Sequence, residues 1–221
     1  MTRDTPISRH LKKIAAAGGD AGRPAGSAPR LQARAQDLMR AKLAADQQRL
    51  KATKSIEKKI EIKREVLPDY GPYVTEVVAR DAGGQDDVLL TLMVWLVDVG
   101  AIYDALNIAE YAIRHGLTMP APFERSLAEV VAESIAETPD VPATLLARVI
   151  ALTDDHDMVD QVRAKLYKAY GLAVGADRPV VAAEALRRAL ALNDKIGVKR
   201  DIARLEASIS ASGGSEKAAD A

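Results

Sequence analysis

The chain has 221 residues, 48% of them hydrophobic and only 4% aromatic, with 31 Lys and Arg balancing 31 Asp and Glu. That is enough for one sizeable domain or two small ones, and a core built from Ala, Leu, Val and Ile favours helices. The absence of cysteine excludes disulfides, thiolate zinc sites and a cysteine nucleophile, and predicts a cytoplasmic protein.

The zero net charge conceals a strong asymmetry. Residues 1–67 carry 16 Lys and Arg against 7 Asp and Glu, a net of +9. Residues 68–160 carry 4 against 17, a net of −13, and residues 161–221 carry 11 against 7, a net of +4. A basic arm that meets a polyanion, joined to an acidic body that does not, has this signature. A solvated charged helix beside an acidic domain has it too.

Residues 1–30 are rich in Gly and Pro, with GGDAGRPAGSAP at their centre, and bury too little apolar surface to offset chain entropy. They are expected to form a flexible cationic tail carrying Arg9, Lys12 and Lys13. From Leu31 to Leu67 there is no Gly or Pro, and Leu31, Ala35, Leu38, Ala45, Ala52, Ile56, Ile60 and Leu67 follow one face of a 3.6-residue repeat. This predicts a single long basic amphipathic helix over 31–67, about 55 Å in length, ended by the Pro68–Pro72 segment. The stripe is not the strict heptad of a long coiled coil; it is free to pack on its own domain or on neighbouring subunits.

An acidic-to-mixed helical domain is expected over 68–210. Helices are predicted near 73–80, 87–99, 102–115, 122–136, 142–152, 158–174, 179–192 and 197–209, separated by Gly and Pro. No segment alternates with a period of two, so the fold class is all-α, with essentially no sheet. Residues 92–117 and 168–193 read as loosely related helical hairpins of tetratricopeptide type. Their second helices are lined by Ala105, Ala109 and Ala112, and by Ala182, Ala185 and Ala189. Residues 211–221 are expected to be a disordered tail. The longest apolar run, Val88–Val97, is about half of what a membrane span needs, and no signal-peptide core follows the charged N-terminus.

Candidate chemistry is sparse. Asp86 and Asp87 precede the apolar run, where carboxylates cap free N–H groups. Asp87 and Asp98 share a helix face but are about 16 Å apart along the axis, too far to share a metal. Asp98 and Asp104 could approach each other across the Gly100 turn, but no histidine or Lys-containing nuclease pattern accompanies them. Asp154, Asp155 and Asp157 form a ligand-like cluster with His156, although the spacing is not that of an EF-hand and an acidic first turn for the next helix explains it as well. Of the other histidines, His10 is isolated and His115 suits a helix end before Gly116. No phosphate-binding, dinucleotide, nucleophile-elbow or zincin motif is present. The basic arm is the main functional signal: Arg49, Lys51, Lys54, Lys58, Lys59, Lys63 and Arg64 suit phosphate contact without base reading. No aromatic side chain lies among them for single-strand stacking. Glu57, Glu61 and Glu65 give the same helix a second, acidic row.

The motifs MRAKLAADQQRLKA (39–52), KREVLPDYGPYV (63–74), GGQDDVLLTLMVWLVDVG (83–100), DALNIAEYAIRHGLTMP (104–120), VRAKLYKAYGL (162–172) and GVKRDIARLE (197–206) occur in a familiar order. In that order and spacing the chain resembles the small terminase subunit, GpM type, of peduovirus-like tailed phages and their prophages, proteins also described as the terminase endonuclease subunit. The resemblance covers about Met39 to Glu206. It implies a DNA-packaging role in the host cytoplasm: binding double-stranded phage DNA at its cos site, partnership with a large ATPase subunit, and assembly as a homo-oligomer, in some cases a ring. Two other readings stay open. One is that the chain is itself the metal-dependent endonuclease, with Mg²⁺ as its cofactor; otherwise no cofactor is expected. The other is a helical adaptor that binds only protein.

Overall fold

The computed structural model describes residues 28–121 and 123–219. All regular structure among them is helical, as the composition predicts, and the chain divides into two compact units, Met1–Pro122 and Phe123–Ala221.

In the first unit, α1 (Ala28–Ala52) and α2 (Ile56–Arg80) form an antiparallel hairpin beside α3 (Asp87–Asp98) and α4 (Ile102–Arg114). The single helix expected over 31–67 is therefore two helices. It breaks at 53–55, where hydroxyl side chains compete with the backbone ladder. The Thr53 hydroxyl donates to the Arg49 carbonyl at 3.0 Å, and Ser55, in an extended conformation, caps α2 by accepting from the Lys58 N–H at 3.4 Å. Nor does the helix stop at Pro68–Pro72, because α2 continues through both prolines to Arg80. Each proline removes one N–H and crowds the preceding turn. Both lie on the exposed side, however, where water satisfies the freed carbonyls, and the opposite face is held by buried Val66, Leu67, Tyr70, Tyr73, Val74 and Val77. At about 1.5–3 kcal/mol for each large apolar side chain buried, that face outweighs two local penalties of about 3 kcal/mol.

Helix α3 is the centre of this unit. Val88, Leu89, Leu90 and Leu92 are fully buried, and Trp95 meets the edge of the Tyr70 ring at 6.5 Å. α4 packs on α3 through Ala105, Ala109 and Ala112, all essentially inaccessible, so the first predicted hairpin is present with its alanine seam inward.

The second unit comprises α5 (Leu127–Ala136), α6 (Ala143–Thr153), α7 (Asp160–Val174), a 3-10 turn (Gly175–Asp177), α8 (Pro179–Leu192) and α9 (Lys199–Ala219). α5 starts at Leu127 rather than near 122. Ser126 and Glu129 form a capping box there, each satisfying the other's free backbone N–H. α9 runs beyond the expected end at 209, so the tail predicted from 211 begins inside this helix; its side chains are described as far as Ala211. The predicted flexible tail 1–30 falls almost wholly outside the described residues, which begin at Ala28.

The second predicted hairpin is α7 with α8. Ala182, Ala185 and Ala189 are buried between them, and Gly171 is the point of closest approach. A Cβ at Gly171 would lie 2.7–2.8 Å from Leu186 side-chain atoms and 3.1 Å from the Ala182 carbonyl. We therefore expect Gly171→Ala to destabilise the second unit by about 1–3 kcal/mol through overpacking, despite alanine's higher helix propensity. Chemical denaturation followed by circular dichroism measures this, and an unchanged or raised midpoint would contradict the close approach.

Candidate nucleic-acid interface

The basic residues of the arm fall into two groups, which the hairpin separates. Arg49 reaches across to α2 and pairs with Glu65 through two hydrogen bonds of 2.9 and 2.8 Å. That hydrogen bonding holds the Glu65 carboxyl below its usual range. Lys63 pairs with Asp98 at the end of α3, with its ammonium 6.0 Å from the Trp95 ring. Two of the expected phosphate contacts are thus committed to holding the hairpin and seating it on α3. Lys42 acts in the same way, lying between Asp46 at 2.9 Å and Asp69 at 3.0 Å and 4.7 Å from the Tyr70 ring centre. Burial disfavours its charge, but hydrogen bonds to the two carboxylates outweigh it and raise its pKa. The Tyr70 hydroxyl donates to Asp46 at 2.6 Å, and its pKa is pushed up, chiefly by burial.

The second group gathers at the tip of the hairpin. Lys51, Lys54 and Lys58 are exposed there and Lys59 is half-buried, while exposed Arg64 lies two turns further along α2, next to Glu65; among the described residues no ion pair holds any of the five. Ile56 sits among them, 75% exposed at the first position of α2. Lys58 and Lys59 also lie in the first turn of α2, where the helix dipole disfavours a cation unless an anion is nearby. Arg9, Lys12 and Lys13 lie outside the described residues.

The candidate carboxylates do not converge. Asp98 is held by Lys63, and Asp104 is 97% buried in the first turn of α4. In the second unit, Asp154 lies at the C-cap of α6, 3.7 Å from Arg163, while Asp155 and Asp157 face solvent. Among the described residues no three His, Cys, Asp or Glu side chains are grouped to hold a metal ion, so the side chains present do not fit a two-metal centre. The 154–157 loop does not cap α7 either. Val159 occupies that N-cap without a side-chain bond, and its N–H is taken by Glu129 at 3.2 Å.

Asp86 does cap α3, accepting from the Leu89 N–H at 3.0 Å, and its second oxygen accepts from the buried Tyr73 hydroxyl. Asp87 is instead held by Gln85 at 2.7 Å; Gln85 also donates to the Thr118 carbonyl and accepts from the Thr118 N–H. His115 ends α4 as expected. Its Nε2 lies 2.8 Å from Asp81, and its ring packs on Tyr111. Sequence reasoning missed the acidic partners of the arm, Glu65 and Asp98, because they lie 16 and 35 residues from the cations they engage. The S-L-A-E pattern at 126–129 is a local signal in the sequence for the capping box that starts α5.

Two expectations follow. Asp86→Ala removes a cap and strands a buried hydroxyl, for a loss of about 2–4 kcal/mol, whereas Asp86→Asn should retain most of the stability; equilibrium unfolding distinguishes them. Hydrogen bonds from His115 and Arg114 hold the Asp81 carboxyl below its usual 3.8. The resulting stabilisation is present above about pH 4 and disappears as pH falls through the depressed value. Thermal melts between pH 5 and 3 should therefore fall less steeply for Asp81→Asn than for the unaltered chain.

Comparison with known proteins agrees with the order of motifs. Residues 40–161 match the family model described as phage small terminase subunit. The chain is 41% identical over 212 residues to the "Terminase, endonuclease subunit" of Escherichia phage P2, covering 91% of this chain and 84% of that protein. It is 30% identical over 169 residues to the "Probable terminase, endonuclease subunit" of Haemophilus phage HP1, covering 66% of this chain and 60% of that one. No solved structure matches it. The family match spans the whole hairpin tip and the buried helix α3, and on these grounds the chain belongs to the phage small terminase subunit family.

Proposed function

We propose that this small terminase subunit is the DNA-recognition component of the packaging machine, binding double-stranded phage DNA at its cos site in the host cytoplasm. It then works as a homo-oligomer that hands the site to the large ATPase subunit. The observation that supports this reading is the cluster of Lys51, Lys54, Lys58 and Lys59 at the hairpin tip, with Arg64 further along α2. Among the described residues these cations have no ion pair, while Arg49 and Lys63 are neutralised by the protein itself. Cations held ready at a helix N-terminus attract phosphate by charge and dipole together. The tip carries no aromatic side chain, which favours duplex backbone over a stacked single strand.

The relatives' names point to a second reading, in which the chain itself cuts DNA. Among the described residues the candidate carboxylates are dispersed or already paired, which favours recognition as the role of this chain. No helix among the described residues is long and apolar enough to cross a membrane, in keeping with action on cytoplasmic DNA.

The test is a triple charge reversal, Lys54→Glu, Lys58→Glu and Lys59→Glu. None of the three makes an ion pair among the described residues, and a carboxylate suits the first turn of α2 better than an ammonium, so the helix content should be retained and the melt should stay the same or rise. Binding to a cos fragment should fall at least a hundredfold, and the slope of log affinity against log salt should become shallower by about 3. Binding that survives the reversal would refute the tip as the contact. Strand cleavage by the purified chain with Mg²⁺ alone would establish the second reading instead.

A further inference from the structure

The apolar face of α2 runs past the end of the helix that covers it. Ile56, Ile60, Leu67 and Val74 share one face of a 3.6-residue repeat. Leu67 and Val74 are each 5% exposed and Ile60 is half-buried, whereas Ile56 is 75% exposed, the most exposed large apolar side chain among the described residues. The Lys63–Asp98 pair marks where α3 ends beside α2, and Ile56 stands about 10 Å beyond it along the axis. Helix propensity gives no reason for isoleucine at the first position of α2, since its β-branch makes it a poorer helix former than alanine or leucine. Four cations flank it in the sequence, Lys51 and Lys54 before it and Lys58 and Lys59 after it, none in an ion pair among the described residues. The one acid in that stretch, Glu57, belongs to the row of Glu61 and Glu65, whose last member turns to α1 through Arg49.

We propose that Ile56 is a wedge, entering between two base pairs of the bound duplex and kinking it while the flanking lysines hold phosphates on either side. The proposal rests on the tip-contact reading above and adds to it a source of site preference. Phosphate contacts fix position but carry no sequence information. An apolar side chain that partly unstacks a base step does carry it, because pyrimidine–purine steps open more readily than others.

Charge and shape both select duplex DNA as the occupant. A protein that covered Ile56 would have to supply an acid for each of Lys54, Lys58 and Lys59 around a single apolar contact, because an ammonium buried without a partner is strongly destabilising. Duplex DNA offers about one negative charge per 1.7 Å of its axis, beside an apolar stack of bases. The hairpin is two helices wide, each about 10–12 Å across with its side chains, whereas the minor groove is about 6 Å wide. The tip therefore rests on the phosphate rims, and only a side chain that projects from it reaches the bases. Ile56, at the turn between the two helices, is that side chain.

Ile56→Ala in the full chain removes the wedge and leaves every cation in place. On a cos fragment labelled at both ends for energy transfer, a kink of about 20–90° should shrink by at least half. The preference for cos over a random duplex of equal length should drop about tenfold. The salt slope, the affinity for random duplex and the thermal melt should stay as they were, because no phosphate contact and no buried area is lost. 2-Aminopurine placed in turn at the TA and CA steps of the fragment should brighten at one of them when the unaltered chain binds, and at none with Ile56→Ala. Ile56→Leu keeps an apolar wedge and should restore both the bend and the brightening. If the triple charge reversal leaves cos binding intact, the tip reading fails and the wedge fails with it. If that reversal abolishes binding but Ile56→Ala bends and selects cos as the unaltered chain does, only the wedge is overturned. A change of assembly in native mass spectrometry with the bend untouched would assign Ile56 to a protein contact instead.

Discussion

The first unit depends on one constraint: the run from Val88 to Val97 is apolar on every side and must be covered on every side. A helix of that kind cannot sit at a surface, so α1, α2 and α4 are arranged around it. Its N-terminus also has to enter the interior with its free N–H groups satisfied. The carboxylate of Asp86 does this while itself 96% buried, and it is kept tolerable there by the Tyr73 hydroxyl. A buried acid stabilised by a cap and a tyrosine is a structural group, whatever it suggests in a sequence.

The same constraint explains why α2 accepts two prolines. Its inner face is buried from Val66 to Val77 and meets α3 at Trp95 and at the Asp86 cap, so the helix is held from outside its own hydrogen-bond ladder. Packing then decides what propensity would refuse. The Arg49–Glu65 pair extends this control to the upstream helix and holds the hairpin in register, while Lys63 ties α2 to Asp98 at the end of α3. In the second unit the corresponding device is steric, with the absent side chain of Gly171 allowing α7 and α8 to touch.

Much of the fold was legible because helices here are separated by Gly, Pro and caps, which act locally. The boundaries of α3, α4, α7 and α8 follow from such signals to within two residues. The alanine seams of both hairpins were visible for the same reason, since periodicity within one helix is a local property. What the sequence hid was non-local. Thr53 and Ser55 are ordinary helix residues until their hydroxyls find backbone partners, so the break between α1 and α2 carried no strong signal. The stripe through Leu38, Ala45 and Ala52 lies on an exposed face of α1, and periodicity alone does not say which of two faces turns inward. The basic arm was legible as composition. Its division into structural and free cations was not, because that division is made by acids on other turns and other helices.

The break at 53–55 also changes how the basic arm can hold a polyanion. A straight rod of 37 residues would lay its charge along several turns of duplex. The folded arm instead gathers four lysines at one end of two helices each about 37 Å long, so under the proposed function a single tip would span only a few phosphates and grip weakly. On the proposed reading, tight retention of a long DNA would come from several tips engaging at once, with effective concentration replacing contact area as the source of affinity. Such a grip would let go one tip at a time, as the proposed hand-over to the large subunit requires.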